Sequence, residues 1–243
     1  MPNPHDRLRE LGFDDEAAGI LAAHFLAAEA SGRTSHGLSR VDWLASLPDL
    51  QPDARPRRTV FEPGYESWDG RGALGYLTLH AVCDAQLERP PSRARVVVAH
   101  RCFPTGMLGY WVRRLALGGL TAVLTATSPP RLGHPEGGPP LAGTNPLAIG
   151  VPSSDGRPLV ADVSMGKVTY GDVLAGLAEA DDLVPFGEDQ AHKAFALAVG
   201  LQMLVDSLAG DGYAAVMVVA QPRADPVPAL REAAAGIRLP GDR

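Results

Sequence analysis

Three consecutive segments near the middle of the chain constrain its fold most. "ARVVVAH" (94–100) is a short run rich in valine, which suits a strand buried within a sheet. "GMLGYWVRRLALGG" (106–119) reads as a helix and leads into "LTAVLTAT" (120–127), a second strand. A strand–helix–strand unit is therefore expected, and with it a sheet that carries helices on its faces.

The flanking sequence extends this pattern. "DDEAAGILAAHFLAAEAS" (14–31) reads as a helix with Asp14 or Asp15 as N-cap and Gly32 as its stop. A second short helix is expected from about Ser35 through "GLSRVDWLASL". Residues 50–70, rich in Pro, Arg and Gly, read as connector with one edge strand. "ALGYLTLHAVCDAQLE" is a helix, and "LGHPEGGPPLAGTNP" (132–146) a long loop. "LAIGVPS" and "PLVADVS" are strands joined by the turn "SDGR". Helices are expected over 171–180 and 191–208, then a last strand in "YAAVMVVAQP" and a helical "VPALREAAAGI". The expected class is mixed α/β: one main domain over 51–243 with a mixed sheet, and a helical N-terminal part over 1–50.

Bulk properties narrow the partners. A net charge of −6 argues against nucleic acid or an anionic membrane as the main partner. The most apolar run, 115–128, is too short to span a bilayer, and "MPNPHDRLRE" lacks the apolar core of a signal peptide. A cytoplasmic location is expected. Cys83 and Cys102 form neither a disulfide framework nor a zinc motif, and the histidines lack metal-ligand spacing, so no metal is expected. Of 22 basic residues only Lys167 and Lys193 are lysines.

"GRGALG" (70–75) matches the G-x-G-x-x-G dinucleotide pattern, but the preceding "FEPGYESWD" is a poor central parallel strand. The glycines are better read as a turn and a close helix contact.

"RTSHGLSR" (33–40) carries more chemistry. On a helix, His36 and Arg40 lie one turn apart on one face. A histidine passes protons near neutrality, and an arginine forks two N–H groups onto a carboxylate. The pair suits a small acid whose neighbouring carbon changes its protonation; an exposed His and Arg on a surface helix share the same spacing.

"GRTSHGLSR" resembles the "GHxSHGxxR" signature of the malate/L-lactate dehydrogenase type 2 family. Further matches follow in order: "WDGRGALG", "GGPPLAGTNPLAIGVPS", "LVADVSMGKV", "VPFGEDQAHKAFALAV" and "IRLPGDR". The resemblance implies a non-Rossmann fold whose C-terminal segment returns to the N-terminal part. It also implies a homodimer with shared active sites, and NADPH or NADH as cofactor. It casts His36 as proton donor, Arg40 as carboxylate clamp, Asp162 as their neighbour near the nicotinamide, and Ser35 as part of the same motif. Cofactor contacts are implied for Phe103, Thr144, Asn145, Pro146, Val163, Ser164 and Lys193. A carboxylate at Asp162 is expected to raise the His36 pKa.

The chain departs from that pattern in places. Cys102 stands where the family has a second histidine, with His100 nearby; Ala194 replaces a glycine; and the connector between Asp162 and Lys193 is shortened. The first reading is an NAD(P)H-dependent reductase of a small 2-oxo acid or cyclic imino acid. The alternatives are a cofactor-free proton-transfer, cyclisation or lyase step on an α-imino or α-keto acid, and a non-catalytic scaffold.

Overall fold

The computed structural model describes residues 3–242. Among these, seven strands form one mixed sheet: β1 (Arg57–Glu62), β2 (Tyr65–Asp69), β3 (Ala94–His100), β4 (Thr121–Ala126), β5 (Leu147–Val151), β6 (Leu159–Val163) and β7 (Ala215–Ala220). The spatial order is β1-β2-β3-β7-β4-β5-β6. Only the β2–β3 pair is parallel; the other neighbours run antiparallel.

One expectation about the sheet is corrected here, and the expected strand–helix–strand unit is present as β3, a helix and β4. The 50–70 segment supplies two strands rather than one edge strand, and β2 lies inside the sheet, parallel to β3. Pro63 and Gly64 do not interrupt it, because they fall in the turn between β1 and β2. The strands of the central unit do not touch: β7 lies between β3 and β4, with Met217 opposite both Val97 and Leu124. These three side chains are nearly inaccessible and form part of the main core. An almost wholly apolar strand such as "AVMVVA" belongs at the sheet centre, where both faces are covered.

The helices are α1 (Pro4–Glu10), α2 (Asp15–Ala30), α3 (Ser39–Ala45), α4 (Gly75–Glu88), α5 (Leu108–Leu117), α6 (Tyr170–Leu174), α7 (Ala191–Ala209) and α8 (Val227–Ala233). α2 starts at the expected cap, where the Asp14 carboxylate accepts a hydrogen bond from Ala17 N. α5 buries Leu108, Trp111, Val112, Leu115 and Ala116, the i, i+3, i+4, i+7, i+8 stripe of an amphipathic helix. α4 and α5 cover one sheet face, and α2 packs outside them, so Leu21 and Phe25 share a core with Val97 and Leu124. On the other face α7 covers Val98 and Val216 through Val205. No helix of the described residues is long and apolar enough to cross a membrane.

The helix expected over 171–180 is only the five residues of α6, followed by a 3-10 turn at Ala180–Asp182. Its start is held by a reciprocal cap: Asp172 accepts from Thr169 N and Oγ1, and Thr169 Oγ1 accepts from Asp172 N.

Candidate active site

The ends of β3, β4 and β6 and the start of β5 lie along one edge of the sheet, as the pairings Thr125–Leu147 and Leu147–Val163 require. Beyond that edge is a cavity of about 330 Å³, walled by the chain after β3, the loop after β4, the start of α6 and the segment around His36. His36, Arg40, Asp162, Phe103, Thr144, Pro146 and Ser164 all line it.

The segment "TSHGLSR" is not one helix. Thr34–His36 form a 3-10 turn, the chain turns at Gly37 (φ −93°, ψ −139°), and α3 begins at Ser39. Ser39 Oγ donates to the Thr34 carbonyl, and Leu38 N donates to the Glu29 carboxylate, which ties the break to α2. Arg40 still returns towards His36, because its Nε donates to the Ser35 carbonyl at 2.8 Å. Its guanidinium carbon sits 5.2 Å from the Trp43 ring centroid. The Arg40 side chain is buried, yet among the described residues no carboxylate forms an ion pair with it. That is an unusual state for a buried cation.

His36 is neutral at rest. Burial first, and then the Arg40 guanidinium, push its pKa from 6.5 down to about 4. The carboxylate opposing this is Asp172 rather than Asp162. The expectation that Asp162 charges His36 is therefore replaced by a different pairing. The Asp162 carboxylate instead accepts Gly109 N at 2.8 Å, at the first turn of α5. Burial raises its own pKa, against the pull of Gly109 N and Arg33. On Asp172, burial acts upward, but hydrogen bonds from Ser35 and Thr169 and the field of His36 bring the carboxyl below its usual range.

Other residues of the motifs lie off this wall. Asn145 is fully buried at φ 23°, and its Nδ2 donates to Ala198 O and Gln202 Oε1, fastening the loop to α7. Lys193 projects from α7 as an exposed side chain away from the cavity lining. The Ser35 side chain is buried and bonds Asp172, while its carbonyl takes Arg40. Cys102 is a fully buried thiol against the Gly75 carbonyl, its pKa pushed up to about 12 by burial. His100 is half-buried and lies off the cavity lining: its ring nitrogens meet Ser67 Oγ and the Ala209 carbonyl, both at 2.9 Å.

The glycines of "GRGALG" make the close contacts expected of them. A Cβ on Gly75 would come within 2.6 Å of the Pro104 carbonyl oxygen, so the start of α4 is filled by the protein's own backbone.

Val163 lines a neighbouring groove of about 400 Å³, which shares Arg33, Met107 and Asp162 with the cavity and adds Arg113 and Arg238. Sequence reasoning missed Trp43, Tyr76, Arg131 and Tyr170 on the cavity wall. No signal in the sequence marks Arg131 or Tyr170. His24 lies beneath this wall, caged by Phe25, Tyr76, Tyr110 and Trp111, with Met107 N donating to its Nε2.

The chain is similar to known proteins in both sequence and fold. The chain is 26% identical over 172 residues to hydroxycarboxylate dehydrogenase B of Escherichia coli, covering 67% of this chain and 47% of that protein. It is 27% identical over 232 residues to a Delta(1)-pyrroline-2-carboxylate/Delta(1)-piperideine-2-carboxylate reductase of Pseudomonas aeruginosa, covering 84% and 69%. The chain thus spans about half the length of the E. coli relative. Its fold matches the crystal structure of delta1-piperideine-2-carboxylate reductase from Pseudomonas syringae with a TM-score of 0.85. That match has 23% identity and covers 99% of this chain and 90% of that one. The family model described as malate/L-lactate dehydrogenase matches residues 5–179, well over half of the sequence, and the chain belongs to that family.

Proposed function

We propose that the chain is an oxidoreductase that interconverts a small 2-oxo or cyclic imino acid with its reduced form, using NADPH or NADH. The observation that carries this is a buried guanidinium with no carboxylate partner among the described residues, Arg40, beside a neutral imidazole, His36, on one cavity wall.

The residues present fit a nicotinamide dinucleotide. The cavity joins apolar walls (Met107, Leu108, Pro146) to hydroxyls (Thr144, Ser164), which suits a flat carboxamide-bearing ring. The adjoining groove carries Arg33, Arg113 and Arg238, which suit phosphates. When bound, the nicotinamide supplies or takes the hydride at C2.

The chain's own residues do the rest. Arg40 receives the substrate carboxylate through a two-pronged charge-assisted contact. This cancels the positive field that is the second cause of the low His36 pKa, so the imidazole gains basicity as the acid binds. In the reductive direction His36 then takes up a proton and gives it to the oxygen or nitrogen at C2. In the oxidative direction the neutral ring, as found at rest, accepts that proton. Tyr76, whose pKa burial raises to about 12, stays protonated beside them.

We also propose that the chain is a homodimer. Leu197, Leu204 and Leu208 on α7 leave apolar side chains exposed at helical spacing.

The test is calorimetric titration of NADPH and of NADH into the protein. Micromolar-range binding that is weakened in Arg238→Ala supports the reading. No binding of either nucleotide contradicts it and favours a cofactor-free proton transfer through His36.

A further inference from the structure

Arg40 presents only part of its fork to the cavity. Its Nε is taken by the Ser35 carbonyl, the Trp43 ring lies 5.2 Å from its guanidinium carbon, and Gly171 packs against Nη2. A carboxylate offers about four acceptor positions on its two oxygens, more than the remaining guanidinium edge can fill. An acid bound there calls for a further donor from the wall.

Several hydroxyls of that wall are already spent. Thr169 Oγ1 donates to Asp172, Ser164 Oγ to the Thr144 carbonyl and Thr127 Oγ1 to the Ala214 carbonyl. Tyr76 differs. It stands at the start of α4 and lines the cavity together with Arg40 and His36, yet it is only 1% exposed. Its ring is fixed edge to face against His24 and Phe25, at centroid distances of 4.9 and 5.4 Å. Gly106 closes on the ring's edge, where a Cβ would come within 2.2 Å of Tyr76 Cε1. Among the described residues the Tyr76 hydroxyl has no hydrogen-bond partner, whereas a buried phenol is ordinarily paired. Burial pushes its pKa up to about 12 against the field of the nearby Arg40, so the group remains an O–H donor throughout the neutral range.

We infer that Tyr76 is a substrate-binding residue of this site, whose hydroxyl donates to the carboxylate that Arg40 holds. The acid is then gripped by one cation and one neutral donor, the second held in place by its aromatic neighbours before the acid arrives. This rests on the reading of Arg40 as carboxylate clamp, but not on hydride transfer.

The test uses Tyr76→Phe, which removes the hydroxyl and keeps the ring. 2-Oxobutyrate is titrated calorimetrically into the protein alone and in the presence of excess NADP⁺ or NAD⁺, where acid and nucleotide are both oxidised and no hydride can move. The affinity should fall about tenfold or more in the variant, the range for a hydrogen bond to a charged group. The thermal midpoint without acid should not fall, because the free protein has no hydrogen bond at this hydroxyl to lose. In reduction by NADPH or NADH, KM for 2-oxobutyrate should rise by the same factor with kcat unchanged, as for a contact made equally in the ground and transition states.

Equal acid affinity in wild type and variant overturns the inference and leaves the Arg40 clamp standing. A lowered thermal midpoint with unchanged acid affinity also overturns it, and makes Tyr76 a packing residue. So does a fall in kcat at constant KM, which would move the hydroxyl to the reacting atom at C2. Binding of the acid in neither condition overturns this inference and the clamp together. Weaker acid binding in Tyr76→Phe, with no oxidation of NADPH or NADH by the wild type, leaves this inference standing and removes the hydride-transfer reading. An active wild type whose KM is indifferent to Tyr76→Phe does the reverse.

Discussion

Gly171 lies directly against Arg40: a Cβ at Gly171 would overlap the guanidinium Nη2 and come within 3.0 Å of the Ser35 carbonyl that orients the same side chain. Only a residue without a side chain lets the α6 turn seat on the Arg40 guanidinium as it stands. Gly171→Ala should therefore misdirect Arg40, raising KM for the acid by roughly tenfold or more. Nucleotide affinity, measured separately by titration, should be unchanged. An unaltered KM would show that Arg40 does not hold the substrate.

The neutral resting state of His36 fixes the pH dependence of each direction. In the free protein its pKa of about 4 leaves it unprotonated at neutral pH. kcat/KM for oxidation should then be level across neutrality and fall only as pH drops towards 4, while kcat/KM for reduction should decline as pH rises above that value. Because Arg40 is the second cause of the depression, Arg40→Gln should move the acid limb of the oxidation profile upward despite weakening substrate binding. An acid limb at the ordinary histidine value in the wild type would contradict this account of His36.

His24 makes a parallel prediction for stability. Burial among aromatic rings pushes its pKa from 6.5 to about 3, against the opposing pull of the Met107 carbonyl on Nε2. Both buried histidines therefore bind a proton more weakly folded than unfolded. Their contribution is complete above about pH 6.5 and is lost as pH falls, through about 4 for His36 and about 3 for His24. Denaturant midpoints should decrease on the acid side over that window, and His24→Phe should flatten part of the slope. The same slope in the variant would place the acid sensitivity elsewhere.

Glu66 gives a test remote from the cavity. It is fully buried on β2, where Arg95 Nη1 pairs with Oε1 at 3.1 Å while Trp68 Nε1 and Gln86 Nε2 donate to Oε2. Glu66→Ala would leave Arg95 buried without its ion-pair partner, at a cost of about 3–5 kcal/mol in a chemical denaturation curve. The folded fraction should keep its acid and nucleotide affinities.

The same residue shows why part of the fold was hidden from the sequence. β2 carries a buried carboxylate and follows Pro63 and Gly64, so its local signals are those of a connector, and only its partners make it a strand. The hairpin of β5 and β6 was legible because apolar runs flank the local turn "SDGR". The insertion of β7 between β3 and β4 was not, since pairing between residues some ninety positions apart leaves no local periodicity. At the site, the SHG motif marked His36 and Arg40, but the break at Gly37 and the role of Asp172 depend on how α6 docks. Asn145 shows the converse: a motif residue whose buried amide fastens α7 rather than facing the cavity.

The most direct test of hydride transfer is to mix the protein with NADPH, or with NADH, and a short 2-oxo acid, and to follow the near-ultraviolet absorbance of the reduced nicotinamide. The wild type should oxidise the nucleotide. His36→Ala should bind it equally well yet react about 10² to 10⁴ times more slowly, the range for loss of a general acid. A His36→Ala variant as fast as the wild type, or a wild type that binds nucleotide and acid without oxidising the nicotinamide, would contradict the account.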